Sequence, residues 1–166
     1  MSSTDATNRG KDFEGVIKEA FLSVRDTVVE RLPDPTNGYL GVRNKSDFLM
    51  YHFPYMYYIE CKSVQSHRLP MTNVTFNQRT GMLEESKKFG VVAGIICWFI
   101  PEDKTYFIPI QEFERLRLAG EKSVNLRKGH AENFIEIYGV KKRVFFKYDI
   151  VEFLTQMQEM RFGERS

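Results

Sequence analysis

Two cysteines stand in 166 residues, Cys61 and Cys97, and they form neither a CxxC pair nor a Cys/His ligand set. That scarcity excludes a disulfide scaffold and a structural zinc site, and both side chains read as reduced, partly buried thiols. The three histidines, His52, His67 and His130, have no neighbour at metal-ligand spacing. No glycine-rich loop follows a strand as a P-loop would, and no Ser or Cys occupies a recognisable nucleophile setting. The longest apolar run, "FGVVAGIICWFIP", is too short to span a bilayer, and the opening residues lack the apolar centre of a signal peptide. No membrane partner and a cytoplasmic location are therefore expected. A formal net charge of +2 is too small to imply polyanion binding by itself.

What is present is an ordinary globular composition, 42% apolar and 28% charged, with aromatics at 14% that are mostly Phe and Tyr. Such a chain forms one domain with a single sizeable core. Charge is unevenly placed: from Glu121 to Lys147 seven Lys/Arg face three Glu, a surface suited either to phosphate or simply to solvent. Residues 1–10 read as a flexible polar tail and 11–166 as the folded domain. Apolar residues from Phe13 to Val28 recur at helical spacing and predict a helix over 12–31. "YLGV", "DFLMYH" and "YMYYIECK" read as strands, the last two joined as a hairpin through "FPY". A helix is expected over 75–89, and the continuous run "VVAGIICWFI" marks a central strand covered on both faces. "KTYFIPI" returns beside it, a short helix ends at Gly120, two late strands follow, and a final helix uses Ile150, Phe153, Leu154 and Met157. This order predicts an α/β domain with a mixed central β-sheet flanked by helices.

Chemistry concentrates in "YYIECKS", residues 57–63. Alternation puts Tyr58, Glu60 and Lys62 on one face of the strand and Ile59 and Cys61 on the other. Charges within an apolar run need a partner. The residues leave two readings: a cross-strand ion pair at a sheet edge, or a glutamate that holds a metal beside a lysine that stabilises developing charge. Asp47 opens the preceding strand, and in a hairpin it meets Glu60 and Lys62 at one end of the sheet. Two converging carboxylates repel unless a cation lies between them, and hard oxygen ligands suit Mg²⁺. An aspartate followed, on the adjacent strand, by Glu-x-Lys resembles the pattern of restriction-endonuclease-like nucleases.

Over most of its length the chain also resembles the RecU family of Holliday junction resolvases, particularly its shorter phage-type members. The motifs that carry the resemblance are "NRGKDFE", "KSDF", "IECKS", "RLPMTNVTFNQ", "GVVAGIICWFIPEDKTYFIPI" and "KSVNLRKG", in order. The resemblance implies Asp47, Glu60 and Gln78 around Mg²⁺ (Mn²⁺ substituting), Lys62 as transition-state stabiliser and Glu14 as an outer acid. It implies Arg9 as a DNA contact, residues 63–75 as a stalk projecting from the sheet, and a basic stretch around Arg127 and Lys128. Arg68, in the stalk, is a further candidate for phosphate or junction contact. One departure is Lys45, which stands where the family often has a hydroxyl residue, with Ser46 beside it. The implied activity is symmetric cleavage of four-way DNA junctions by a homodimer, in a bacterium or in the host of a phage, with a recombinase or branch-migration protein as a possible partner. A same-fold nuclease acting on duplex or branched DNA in repair or restriction, and a non-catalytic recombination accessory protein, are the alternatives.

Overall fold

The run from Val91 to Phe99 offers water no polar face, and in the computed structural model every one of its residues is buried. The structure describes residues 3–33, 44–143 and 145–163, with side chains for 9–33, 44–143 and 145–160. In chain order the elements are α1 (Ser3–Leu22), β1 (Thr27–Arg31), β2 (Phe48–His52), β3 (Tyr55–Val64), β4 (Arg68–Pro70) and α2 (Phe76–Ser86). There follow β5 (Val91–Phe99), β6 (Lys104–Pro109), α3 (Ile110–Leu118), β7 (Ser123–Asn125), β8 (Ile135–Glu136), β9 (Gly139–Lys141), β10 (Phe146–Tyr148) and α4 (Ile150–Gly163).

Six strands form the central sheet in the order β1-β2-β3-β5-β6-β8. β3 and β5 are parallel, from Met56↔Val91 to Val64↔Phe99, and the other neighbours are antiparallel. The sheet is thus mixed, as expected. α1 and α4 cover one face, where Phe13, Ile17, Phe21, Phe153 and Leu154 pack against Tyr57, Ile59, Trp98 and Phe107. α2 and α3 cover the other, where Met82, Phe113 and Leu116 meet Ile95, Cys97 and Phe99. Cys61 and Cys97 are buried free thiols on opposite sides of the sheet. Among the described residues no helix is long and apolar enough to cross a membrane.

Three expectations are corrected. Residues from Ser3 onward are helical rather than a tail, and α1 ends at Leu22 rather than at residue 31. Val24 and Val28 continue the helical spacing, but Asp26 takes a left-handed φ of 59° and breaks the helix. The β-branched Thr27-Val28-Val29 then runs extended beside β2. Residues 63–75 do not project as a stalk. β3 continues to Val64, β4 pairs antiparallel with β7, Leu69 is fully buried, and backbone bonds join Met71 to Lys122 and Leu126 to His67. Val64, Leu69 and Val74, with Met71 packed beside them, fold the otherwise polar segment back onto the α2/α3 core. The expected strand "YLGV" lies outside the described residues.

Candidate active site

The β2–β3 hairpin pairs Phe48 with Ile59, and its register continued by one residue sets Asp47 opposite Glu60. Asp47 Oδ2 accepts the Cys61 N–H at 2.8 Å, which fixes the carboxylate against the β3 backbone. On β3, Ile59 and Cys61 enter the α1-side core, so Glu60 and Lys62 emerge on the α2 side. Glu60 is 1% exposed. Its Oε1 meets Lys62 Nζ at 2.7 Å and accepts from Gln78 Nε2 at 2.7 Å. Its Oε2 is buried with no hydrogen-bond partner among the described residues. Glu14, on α1, pairs with Arg31 of β1 at 3.3 Å and is close enough for its charge to reach both Asp47 and Glu60.

The cluster holds more negative charge than it neutralises. Burial, then the Glu60 charge, pushes the Asp47 carboxyl up to about 7; Glu14 adds to this, while the Cys61 N–H and Lys62 oppose it. Burial also raises Glu60, against the pull of Lys62 and the Gln78 amide. Burial alone would lower Lys62, but the ion pair with Glu60 outweighs it and holds the ammonium above the ordinary lysine range. An unpartnered buried carboxylate oxygen beside a second, reluctantly ionised carboxylate is costly without a cation. Among the described residues no three His, Cys, Asp or Glu side chains form a closed metal cage. Two carboxylates are instead the partial, all-oxygen donor set on which Mg²⁺ sits while keeping several waters. The residues present fit that ion.

Gln78 joins the site as a hydrogen-bond donor to Glu60. Thr75 caps α2: its hydroxyl accepts the Gln78 N–H at 3.3 Å, and Gln78 Oε1 accepts the Thr75 N–H at 2.9 Å. The amide oxygen is thus engaged with backbone and the NH₂ faces Glu60. In this geometry the NH₂ orients Glu60, and the amide oxygen, the atom that could face a cation, is held by the Thr75 cap. Lys45 and Ser46 also point elsewhere, Lys45 Nζ to Glu85 and Ser46 Oγ to the Phe48 carbonyl. The sequence reading missed Thr75, although T-x-x-Q before a helix is a capping-box signature.

Among the described residues none of the basic candidates for DNA contact pairs with Asp47 or Glu60. Arg9 is on α1, five positions before Glu14, and is half-buried. Arg68 on β4 pairs across the ribbon with Asn125, and Arg127 follows Asn125 by two residues. The two come together beside His67, whose pKa is lowered by lost hydration and then by the charges of Arg127 and Arg68. This β4–β7 ribbon lies beyond the end of β3, past Lys62. Arg127 faces Glu102 at 3.8 Å, Lys128 pairs with Glu121 at 2.7 Å, and Lys141 with Asp103 at 2.8 Å. Part of the basic excess read from the sequence is therefore neutralised within the fold.

No family model matches the chain, and no curated protein matches it. Among solved structures it is similar to Hjc, a Holliday junction resolvase from the archaeal hyperthermophile Archaeoglobus fulgidus. The TM-score is 0.54 and the identity 18%, over 76% of this chain and 95% of that one. The two chains share a fold, the mixed α/β sheet between helices that the sequence predicted.

Proposed function

We propose that this chain, folded as that resolvase is folded, is a Mg²⁺-dependent endonuclease that cleaves four-way DNA junctions as a homodimer of RecU type. The single observation that carries the reading is the convergence of Asp47 and Glu60 from adjacent strands, with Glu60 Oε2 buried and unpartnered among the described residues and Lys62 beside it. Asp47 and Glu60 would hold the cation. When bound, Mg²⁺ supplies a Lewis acid for phosphate oxygens and lowers the pKa of coordinated water; Mn²⁺, equally suited to oxygen ligands, would serve in its place. Lys62, a quarter exposed, neutralises charge that builds on the phosphate during attack. Gln78 keeps Glu60 oriented, and Glu14, held by Arg31, adds to the field at the two carboxylates. Two copies related by a two-fold axis match the two equivalent strands of a junction. With residues 63–75 folded back, the β4–β7 ribbon, with Arg68 on β4 and Arg127 just after β7, offers a basic surface for the arms, and affinity through it weakens with salt.

The test is a substrate panel: a mobile four-way junction, a linear duplex and a Y-fork of equal length, with and without Mg²⁺, for the wild type and Glu60→Gln. Expected are symmetric nicks in the junction, none without Mg²⁺, and binding without cleavage by the variant. Preferential cutting of duplex or fork would place the chain among repair or restriction-type nucleases. Junction binding with no cleavage by the wild type would leave an accessory protein.

A further inference from the structure

Asp47 stands one residue before β2 begins, so its strand is laddered on the downstream side alone. The Leu32 N–H to Asp47 carbonyl bond, at 2.8 Å, and the Ser46 hydroxyl on the Phe48 carbonyl fix the backbone at 46–48. Upstream of them, Lys45 leaves the strand and reaches along α2, where its Nζ meets Glu85 Oε1. Glu85 is 7% exposed and also binds Lys88 Nζ, through Oε2, at 2.6 Å. Between those two points the lysine stem crosses Gly81. A Cβ at Gly81 would lie 2.6 Å from Lys45 Cγ and 3.0 Å from Lys45 Cβ. Glycine inside a helix is destabilising relative to alanine, and here its missing side chain is the groove in which the stem lies. At the other end of the same helix, Gln78 grips Glu60.

α2 therefore touches both strands that carry carboxylates, and those carboxylates repel each other until a cation joins them. The geometry points to Lys45 as a positioning residue: seated over Gly81 and anchored by Glu85, it clamps the strand entry so that Asp47 stays opposite Glu60, ready to bind the cation. The inference rests on the metal-dependent reading of the site.

The test uses Mg²⁺ as the probe, with two readouts. Thermal unfolding of the full chain titrated with MgCl₂ gives the half-saturating concentration from each protein's shift over its own metal-free value. Single-turnover junction cleavage gives a second measure. Lys45→Met is expected to raise half-saturation about tenfold, the lower end of what loss of a supporting contact costs a metal site, and Lys45→Arg to restore most of it. Lys88→Met, which removes the other cation on Glu85, is expected to leave half-saturation unchanged. Gly81→Ala should act like Lys45→Met while Lys45 is present and add nothing in a Lys45→Ala background. Equal behaviour of Lys45→Met and Lys88→Met, or a Gly81→Ala effect that persists without Lys45, overturns the clamp. A wild type showing neither a Mg²⁺ shift nor cleavage overturns the nuclease reading, and the clamp with it.

Discussion

Replacing Asp47 by Asn should stabilise the protein when metal is withheld. A carboxyl raised from 3.8 to about 7 has a folded-state pKa above its unfolded value, so the folded state keeps a proton that the unfolded chain has released. The resulting penalty is absent below pH 4, grows between pH 4 and 7, and is complete above pH 7. At about 1.4 kcal/mol per pH unit it reaches about 4 kcal/mol. That penalty already sets the Cys61 N–H and Lys62 attractions against burial and the Glu60 and Glu14 charges, and asparagine, neutral like the protonated carboxyl, keeps a carbonyl oxygen for the Cys61 N–H. The gain at pH 8 in EDTA is then about 4 kcal/mol, or roughly 8–16 °C in Tm for a domain of this size. At pH 4 the gain should vanish. Saturating Mg²⁺ should reverse the order, because the wild type alone gains the binding energy. Differential scanning calorimetry at pH 4 and pH 8, with EDTA or Mg²⁺, measures all four conditions. An Asn variant less stable than the wild type at pH 8 in EDTA would refute the reasoning, since Asp47 would then sit among favourable contacts and need no cation.

Lys62→Ala should slow single-turnover cleavage by about 10²–10³, the range for losing one preorganised electrostatic stabiliser, with Mg²⁺ affinity unchanged or slightly higher. Near-normal turnover would remove Lys62 from the chemistry. Leu69→Ala should cost about 2–5 kcal/mol in urea unfolding, because Leu69 is fully buried beneath the β4–β7 ribbon; a cost near zero would mean that residues 63–75 stand away from the core. Gly94→Ala should cost about 1–3 kcal/mol by overpacking, since its Cβ would lie 2.6 Å from the Phe107 ring and against the Ile108 carbonyl.

The elements most legible in the sequence were those whose periodicity had one solution. The unbroken apolar run at 91–99 could be satisfied only by covering both faces, and the alternation in 55–62 fixed which side chains share a face. The end of α1 was not legible, because Val24 and Val28 keep helical spacing past Leu22 while the β-branched segment finds a partner in β2 that no local pattern reveals. The fold-back of residues 63–75 was not legible because it depends on Val64, Leu69 and Val74, spread through a polar segment, and on pairing with β7, more than fifty residues later in the chain. The meeting of Asp47 with Glu60 and Lys62 followed from hairpin arithmetic. The hydrogen bond from Gln78 to Glu60 did not, because it depends on which end of one amide faces Glu60, and that is set by the Thr75 cap.

β3 has a consequence for assembly of the chain itself. Its odd-numbered side chains from Tyr55 to Cys61 fill the aromatic core under α1, while Glu60 and Lys62 occupy the opposite face. Pairing shifted by a single residue would exchange the two sets, driving a carboxylate and an ammonium among Phe13, Trp98 and Phe107 and turning Tyr57 and Ile59 toward the helix cap. Such a mispaired sheet is heavily penalised by desolvation. The charges at positions 60 and 62 thus act as a check on strand alignment, and chains that complete the central sheet do so with Asp47, Glu60 and Lys62 already in register.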